Sequence, residues 1–263
     1  MSDKHRARKR FGQNFLTDAG VIRQIARAIN PRPDQHVVEI GPGKGALTTE
    51  LVDSAGQLDV IELDRDLVPL LQQRFANADN LTVHSADALS FDYAQLQQAQ
   101  QPLRVVGNLP YNISTPLIFH LLQYVGLITD MHFMLQLEVV KRLSASPGSK
   151  AWGKLGVMAQ YHCQVDSLFE VPPHAFSPAP KVQSAIVRLQ PKPAGSTDAI
   201  TEARLRRVVS TAFAQRRKTL RNTLRDLVSV QQLESVGIEP GARAETLSLD
   251  QFLAISALLE PND

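Results

Sequence analysis

The 263-residue chain has one cysteine, Cys163, so an internal disulfide framework is excluded. It has no apolar run approaching the ~20 residues that cross a bilayer, and no membrane role is expected. The opening MSDKHRARKR is basic and lacks the apolar stretch of a secretory signal; a cytoplasmic protein fits these features. The seven histidines (5, 36, 84, 120, 132, 162 and 174) show no zinc-ligand spacing, and the adjacent His162 and Cys163 have no further partners nearby in sequence, so no metal centre is expected. The P-loop pattern G-x-x-x-x-G-K-[ST] is absent. Tryptophan occurs once, at Trp152 in SPGSKAWGKLG, and is either a loop residue near a substrate or a packing anchor.

Acidic residues are missing where basic ones gather. Lys4, Arg6, Arg8, Lys9 and Arg10 stand against Asp3 alone, and Arg204 to Arg225 holds eight Lys/Arg and no acid. The net charge of +2 therefore conceals a remainder of 15 basic against 25 acidic residues. Two basic segments on an acidic chain form the electrostatic footprint of a polyanion binder, with a solvated helix face and a basic tail as the plainer reading.

What is present is a periodic core. Asp18 is placed to cap a helix running to Ile29, with Val21, Ile22, Ile25, Ala26 and Ile29 on one stripe, and Pro31 and Pro33 stop it. Strands are expected at 37–40, 58–63, 81–84, 103–107 and 131–137, mostly parallel because helical segments separate most of them. Two further runs, 163–171 and 183–190, flank a proline-rich turn and are expected to pair antiparallel at the sheet edge. PKPAGST (191–197) reads as a linker, which divides the chain into residues 1–192 and a helical region, 193–263.

The strand VVEI runs into Gly41-Pro42-Gly43-Lys44-Gly45-Ala46, a turn whose glycines allow backbone to approach a nucleotide-type ligand at a helix start. The pattern G-x-G-x-x-A also suits a dinucleotide fold, and an ordinary turn competes with both. Glu62, ending the next strand, can accept hydrogen bonds from two ribose hydroxyls, as in NAD proteins and methyltransferases alike. Asp87, followed by Ala88, can accept from an adenine amino group, although an Asp before a helix is more often a cap. After the fourth strand comes Asn108-Leu109-Pro110-Tyr111, similar to the [DNS]-[LIP]-P-[YFW] signature of methyltransferases acting on adenine amino groups. Pro110 fixes the turn so that the Asn108 side-chain oxygen and the Leu109 carbonyl both accept from an exocyclic NH₂. Tyr111 offers a stacking face to a base withdrawn from its helix. Methyltransferases that carry such a signature need no metal for this step, because their methyl donor is a sulfonium, already a strong electrophile.

Together FGQNFL (11–16), EIGPGKGALT (39–48), Glu62, Asp87-Ala88, GNLPYNIS (107–114), FSPAPKVQS (176–184) and FAQRRKTLRN (213–222) resemble the ribosomal RNA adenine dimethyltransferases of the KsgA/RsmA type over nearly the whole chain. The resemblance implies an α/β fold, a class I methyltransferase (Rossmann-like) mostly parallel seven-stranded sheet with a small all-helical C-terminal domain that binds RNA. It implies S-adenosyl-L-methionine as cofactor, S-adenosyl-L-homocysteine as product, and dimethylation at N6 of two adjacent adenosines near the 3′ end of 16S rRNA, late in small-subunit maturation. By the same resemblance Asn14, Leu16, Gly41, Gly43, Glu62, Leu63, Asp87, Ala88 and Asn108 hold the cofactor. Asn108, Leu109, Pro110, Tyr111 and Phe176 form the adenine pocket, with Phe176 stacking opposite Tyr111. For a Phe beside Pro178 and Pro180, core packing is otherwise the commoner role.

Arg216, Arg217, Lys218 and Arg221 are candidates for phosphate contacts, which position RNA rather than read its sequence. The partner is then 16S rRNA within the small subunit or its precursor, and a monomer is the default. Three readings stay open: an erythromycin-resistance-type enzyme acting on large-subunit RNA, a DNA adenine methyltransferase, and an assembly factor for which methylation is secondary.

Overall fold

A computed structural model describes residues 13–97, 101–193 and 195–259. The basic opening segment, with Phe11 and Gly12, lies outside them. Two compact units divide the chain: one comprises the residues up to Val140 together with Asp166–Pro191, the other Lys141–Val165 together with the residues from Lys192 onward. Where a division at 192 is expected from sequence, the second unit thus draws on an additional stretch, 141–165.

In the first unit, α1 (Ala19–Ile29) forms where the apolar stripe demands it. The Asp18 carboxylate accepts from the Gly20 and Val21 amides, and Ile22, Ile25 and Ile29 are buried. Burying an aliphatic side chain contributes roughly 1.5–3 kcal/mol, so this stripe, rather than intrinsic propensity, holds an 11-residue helix. The helix stops at Asn30 in the left-handed region (φ 48°). Buried Arg104 donates to the carbonyls of Ile29 and Asn30 and forms a two-pronged ion pair with Asp130 at 2.8 and 2.9 Å, placing a cation at the helix's negative end.

The main sheet contains β2 (His36–Ile40), β3 (Gln57–Glu62), β4 (Leu81–Ser85), β5 (Leu103–Asn108), β6 (Ile128–Gln136), β7 (Cys163–Val171) and β9 (Ser184–Pro191). Its spatial order is β4-β3-β2-β5-β6-β9-β7. The pairs β2/β3, β3/β4, β2/β5 and β5/β6 are parallel and β6/β9 is antiparallel, so the expected class I arrangement of seven strands is observed. The two late runs are neighbours: the Lys192 amide donates to the His162 carbonyl, and Asp166 pairs with Arg188 four residues along each strand, the register of antiparallel strands. β2 and β3 have buried residues at nearly every position, as expected of parallel strands covered on both faces. Helices α2 (Ala46–Val52), α3 (Val68–Arg74), α4 (Ser114–Leu121) and α5 (Leu137–Leu143) follow β2, β3, β5 and β6 in the chain. A separate two-residue pair, β1 (Phe15–Leu16) with β8 (Phe176–Ser177), has no counterpart in the strands expected from sequence.

The chain leaves β2 toward β3 and β4 on one side and returns to β5 on the other. The crevice between the carboxyl ends of β2 and β5 is therefore a topological switch point, where open α/β sheets bind ligands. It lies between the glycine turn and Asn108, because Ile40 registers with Gly107.

The second unit is built from α6 (Lys154–His162), α7 (Ala199–Ala212), α8 (Leu220–Thr223), α9 (Val230–Ser235) and α10 (Leu249–Ser256). Both α6 and α10 contact α7, which is why 141–165 belongs here. Trp152 is a packing anchor: it is buried and its indole N–H donates to the Leu247 carbonyl at 2.9 Å. Cys163 is buried as well, and burial pushes its thiol up to about 12. Among the described residues no helix is long and apolar enough to cross a membrane.

Candidate active site

A cleft opens at the switch point. It is lined by the nine cofactor positions expected from sequence, Asn14, Leu16, Gly41, Gly43, Glu62, Leu63, Asp87, Ala88 and Asn108, and by Leu109, Pro110 and Tyr111. Gly41 and Gly43 have φ of 66° and 58°, which other residues rarely adopt. A side chain at Gly43 would also meet the Phe15 ring at 3.1 Å.

Glu62 ties this turn to β3. One carboxylate oxygen accepts from the Gly43 amide at 3.1 Å and the other from the Asp64 amide at 2.8 Å. Burial raises its pKa, against these two hydrogen bonds. Each oxygen keeps a further lone pair for a ligand hydroxyl. Beside it, Leu63 is 46% exposed, an apolar surface at the cleft wall. One Asp87 oxygen accepts from the Leu89 amide at 2.9 Å, closing the turn after β4. Buried Tyr93 supports that turn, its hydroxyl donating to the Ala88 carbonyl at 3.1 Å.

The Asn108 side-chain N–H donates to the Asn14 carbonyl at 3.0 Å. That contact identifies which end of the amide is nitrogen, and so leaves the oxygen as the free acceptor. The Leu109 amide donates to the Met134 carbonyl at 3.2 Å, fixing the turn to β6. The Gln13 side chain donates to Asp64 at 3.0 Å, so residues 13–14 are held both to the end of β3 and to Asn108. Tyr111 lines the cleft, but Phe176 does not; it is buried in the core and registers with Leu16 in the β1/β8 pair.

Two buried ionisable groups at the cleft were not singled out from sequence. Glu39 carries the one charge inside VVEI, a signal that was available; its protonation state depends on burial that sequence does not display. Its carboxyl is pushed up to about 7, chiefly by burial and further by the charge of Glu62, while the Thr48 hydroxyl, donating at 2.6 Å, opposes the shift. His132 is held down to about 4 by burial, with the Asp130 charge opposing. Its Nδ1 finds no hydrogen-bond partner among the described residues, and Asp130 lies 3.8 Å away.

The Glu39 shift has a sign that can be measured. A carboxyl whose folded pKa exceeds its unfolded value stabilises the fold fully below about pH 4.5, and this contribution is lost as pH rises through about 7. The loss amounts to about 3 kcal/mol. Denaturant titrations are expected to show wild-type stability falling relative to Glu39→Gln between about pH 4.5 and pH 8; parallel curves would mean that Glu39 titrates normally.

In the second unit Arg216 and Arg217 lie in the turn between α7 and α8, followed by Lys218, with Arg221 in α8; the segment is not one continuous helix. Arg217, Lys218 and Arg221 are exposed. Arg216 is engaged within the unit, pairing with Glu245 at 3.2 Å and donating to the Lys150 carbonyl. Among the described residues no group of three or more His, Cys, Asp or Glu could hold a metal ion.

Residues 4–260 match the family model for ribosomal RNA adenine dimethylase. The chain is 56% identical to ribosomal RNA small subunit methyltransferase A of Saccharophagus degradans, covering 98% of this chain and 96% of that protein. It is 58% identical to the protein of the same name from Hahella chejuensis, over 96% and 92%. Among solved structures, a dimethyladenosine transferase from Plasmodium falciparum superposes with TM-score 0.80 at 25% identity, covering 92% of this chain and 95% of that one. The 23S rRNA methyltransferase ErmE superposes with TM-score 0.75 at 28% identity, over 94% and 99%. A cleft at the switch point of a seven-stranded sheet, an adenine-type turn beside a glycine turn, and similarity along nearly the full length agree: the chain belongs to the ribosomal RNA adenine dimethylase family.

Proposed function

We propose that the protein transfers methyl groups from S-adenosyl-L-methionine to the exocyclic N6 of two adjacent adenosines near the 3′ end of 16S rRNA, within the small ribosomal subunit or its precursor, late in maturation. S-adenosyl-L-homocysteine is the product released, and the protein acts as a cytoplasmic monomer. The observation that carries this reading is the Asn108 amide, oriented by the Asn14 carbonyl so that its oxygen is an acceptor in the cleft that Glu62 and the glycine turn also line.

The cleft suits the cofactor. The free lone pairs of Glu62 match ribose hydroxyls, Leu63 offers an apolar face to the adenine ring, and Asp87 with the Ala88 amide matches its polar edge. When bound, the cofactor supplies an electrophilic methyl group on sulfur. The protein's part is to present the nucleophile. The Asn108 oxygen and the Leu109 carbonyl accept from the two N6 hydrogens, which draws the nitrogen lone pair out of conjugation with the ring. Tyr111 provides the face on which the base stacks. Each transfer would form one C–N bond as the methyl–sulfur bond of one cofactor molecule breaks to leave the thioether, with one N6 proton lost to solvent. Two transfers, from two cofactor molecules, therefore exhaust both N–H groups. The similarity at 56–58% identity to small-subunit methyltransferases, against 28% to a 23S enzyme, favours small-subunit RNA over large-subunit RNA. Calorimetric titration is expected to show saturable binding of S-adenosylmethionine and none of NAD; the reverse would replace this reading with the dinucleotide one.

Arg217, Lys218 and Arg221 contact RNA phosphates on this reading, whereas Arg216 is partly spent on Glu245. Replacing the first three with Ala is expected to weaken RNA binding and to reduce the slope of log K against log salt by about 0.7–0.9 for each phosphate no longer neutralised. Cofactor affinity should not change. An unaltered slope would place the RNA interface elsewhere.

A further inference from the structure

Tyr111 makes one contact that its role as a base platform does not require. Its hydroxyl lies 2.8 Å from the hydroxyl of Ser184. Ser184 is fully buried, opens β9, and registers opposite Gln136 at the end of β6. Among the described residues this is the hydrogen bond that its side chain makes. A rigid point of the sheet therefore grips the far end of a ring that otherwise hangs from a turn.

We infer that Ser184 is a positioning residue for the methyl-accepting adenine, setting the direction of the Tyr111 ring through its hydroxyl. The inference rests on the reading of Tyr111 as the stacking face. Aromatic side chains have a staggered χ1 and a broad χ2. The hydroxyl lies on the χ2 axis, so anchoring it fixes where that axis points. The phenolic O–H also prefers the plane of the ring, which biases the face presented to the base. Burial holds the Tyr111 phenol above its ordinary pKa, against the Ser184 hydrogen bond, so the group stays protonated and available for this bond.

Ser184→Ala and Tyr111→Phe remove the same bond from opposite ends while keeping the ring. Each is expected to lower kcat for methyl transfer to unmethylated small subunits by about tenfold. The KM for S-adenosylmethionine should be unchanged, and the double variant should be no slower than either single one. Ser184→Cys, with a weaker hydrogen-bonding group in nearly the same volume, should recover part of the rate. Melting curves establish that each variant is folded. A wild-type rate for folded Ser184→Ala, or losses that multiply in the double variant, would overturn the inference. Tyr111→Ala separates this from the underlying reading. If it is severely impaired while Ser184→Ala is normal, only the role of Ser184 fails; if Tyr111→Ala retains full activity, the stacking role fails and the role of Ser184 with it.

Discussion

Asn108→Ala should lower kcat for adenine methylation by on the order of 10²–10³, the usual consequence of deleting one preorganised group that interacts with charge developing in a transition state. Cofactor affinity should fall as well, because the side chain's hydrogen bond holds the carbonyl of Asn14, itself one of the proposed cofactor positions. Losing that neutral hydrogen bond costs about 1 kcal/mol of stability, so the protein should remain folded. Asn108→Asp is the sharper variant. It keeps an acceptor for N6 but turns an oxygen toward the Asn14 carbonyl, 3.0 Å from the present nitrogen, where two acceptors repel. Single-turnover rates at saturating cofactor separate the two effects: Asp should be slow, with the 13–14 segment released from β5. Wild-type rates for either variant would remove Asn108 from the chemistry.

The second large effect is expected at Glu62. Its carboxylate satisfies the Gly43 and Asp64 amides and, on the proposed reading, two ribose hydroxyls. Glu62→Ala should weaken S-adenosylmethionine binding at least about 100-fold, since hydrogen bonds to a charged group contribute about 1.5–3 kcal/mol each. Glu62→Gln is no conservative replacement. Whichever way the amide turns, its NH₂ group faces a backbone N–H, leaving the Gly43 or the Asp64 amide without its acceptor. About 1–3 kcal/mol of stability should be lost with the affinity. Calorimetry and denaturant titration measure the two losses independently. Intact affinity in Glu62→Gln would show that the carboxylate does not hold the cofactor.

The strands around the switch point were legible because their signal is local. Short apolar runs broken by turns gave β2 to β6, and the Asp18 cap with its isoleucine stripe gave α1. The pair β1/β8 was not legible, because two-residue strands about 160 positions apart carry no periodicity. The place of 141–165 in the second unit was hidden for a similar reason: it depends on long-range contacts such as that of Trp152 with Leu247. At the site, motif residues could be found by type and spacing, and twelve of them line one cleft. What sequence could not give was state. Glu39 and His132 acquire their shifted pKa values from burial, and Arg216 is engaged by Glu245, 29 residues away. Phe176 shows the opposite case: family resemblance assigns it to the adenine pocket, whereas composition favours the core, where the side chain lies.

The most direct measurement is methyl transfer from labelled S-adenosylmethionine to purified, unmethylated small subunits, large subunits and DNA, followed by nucleoside analysis. N6,N6-dimethyladenosine in small-subunit RNA alone is expected; label confined to large-subunit RNA or DNA, or no label in any of the three, would contradict the proposed function.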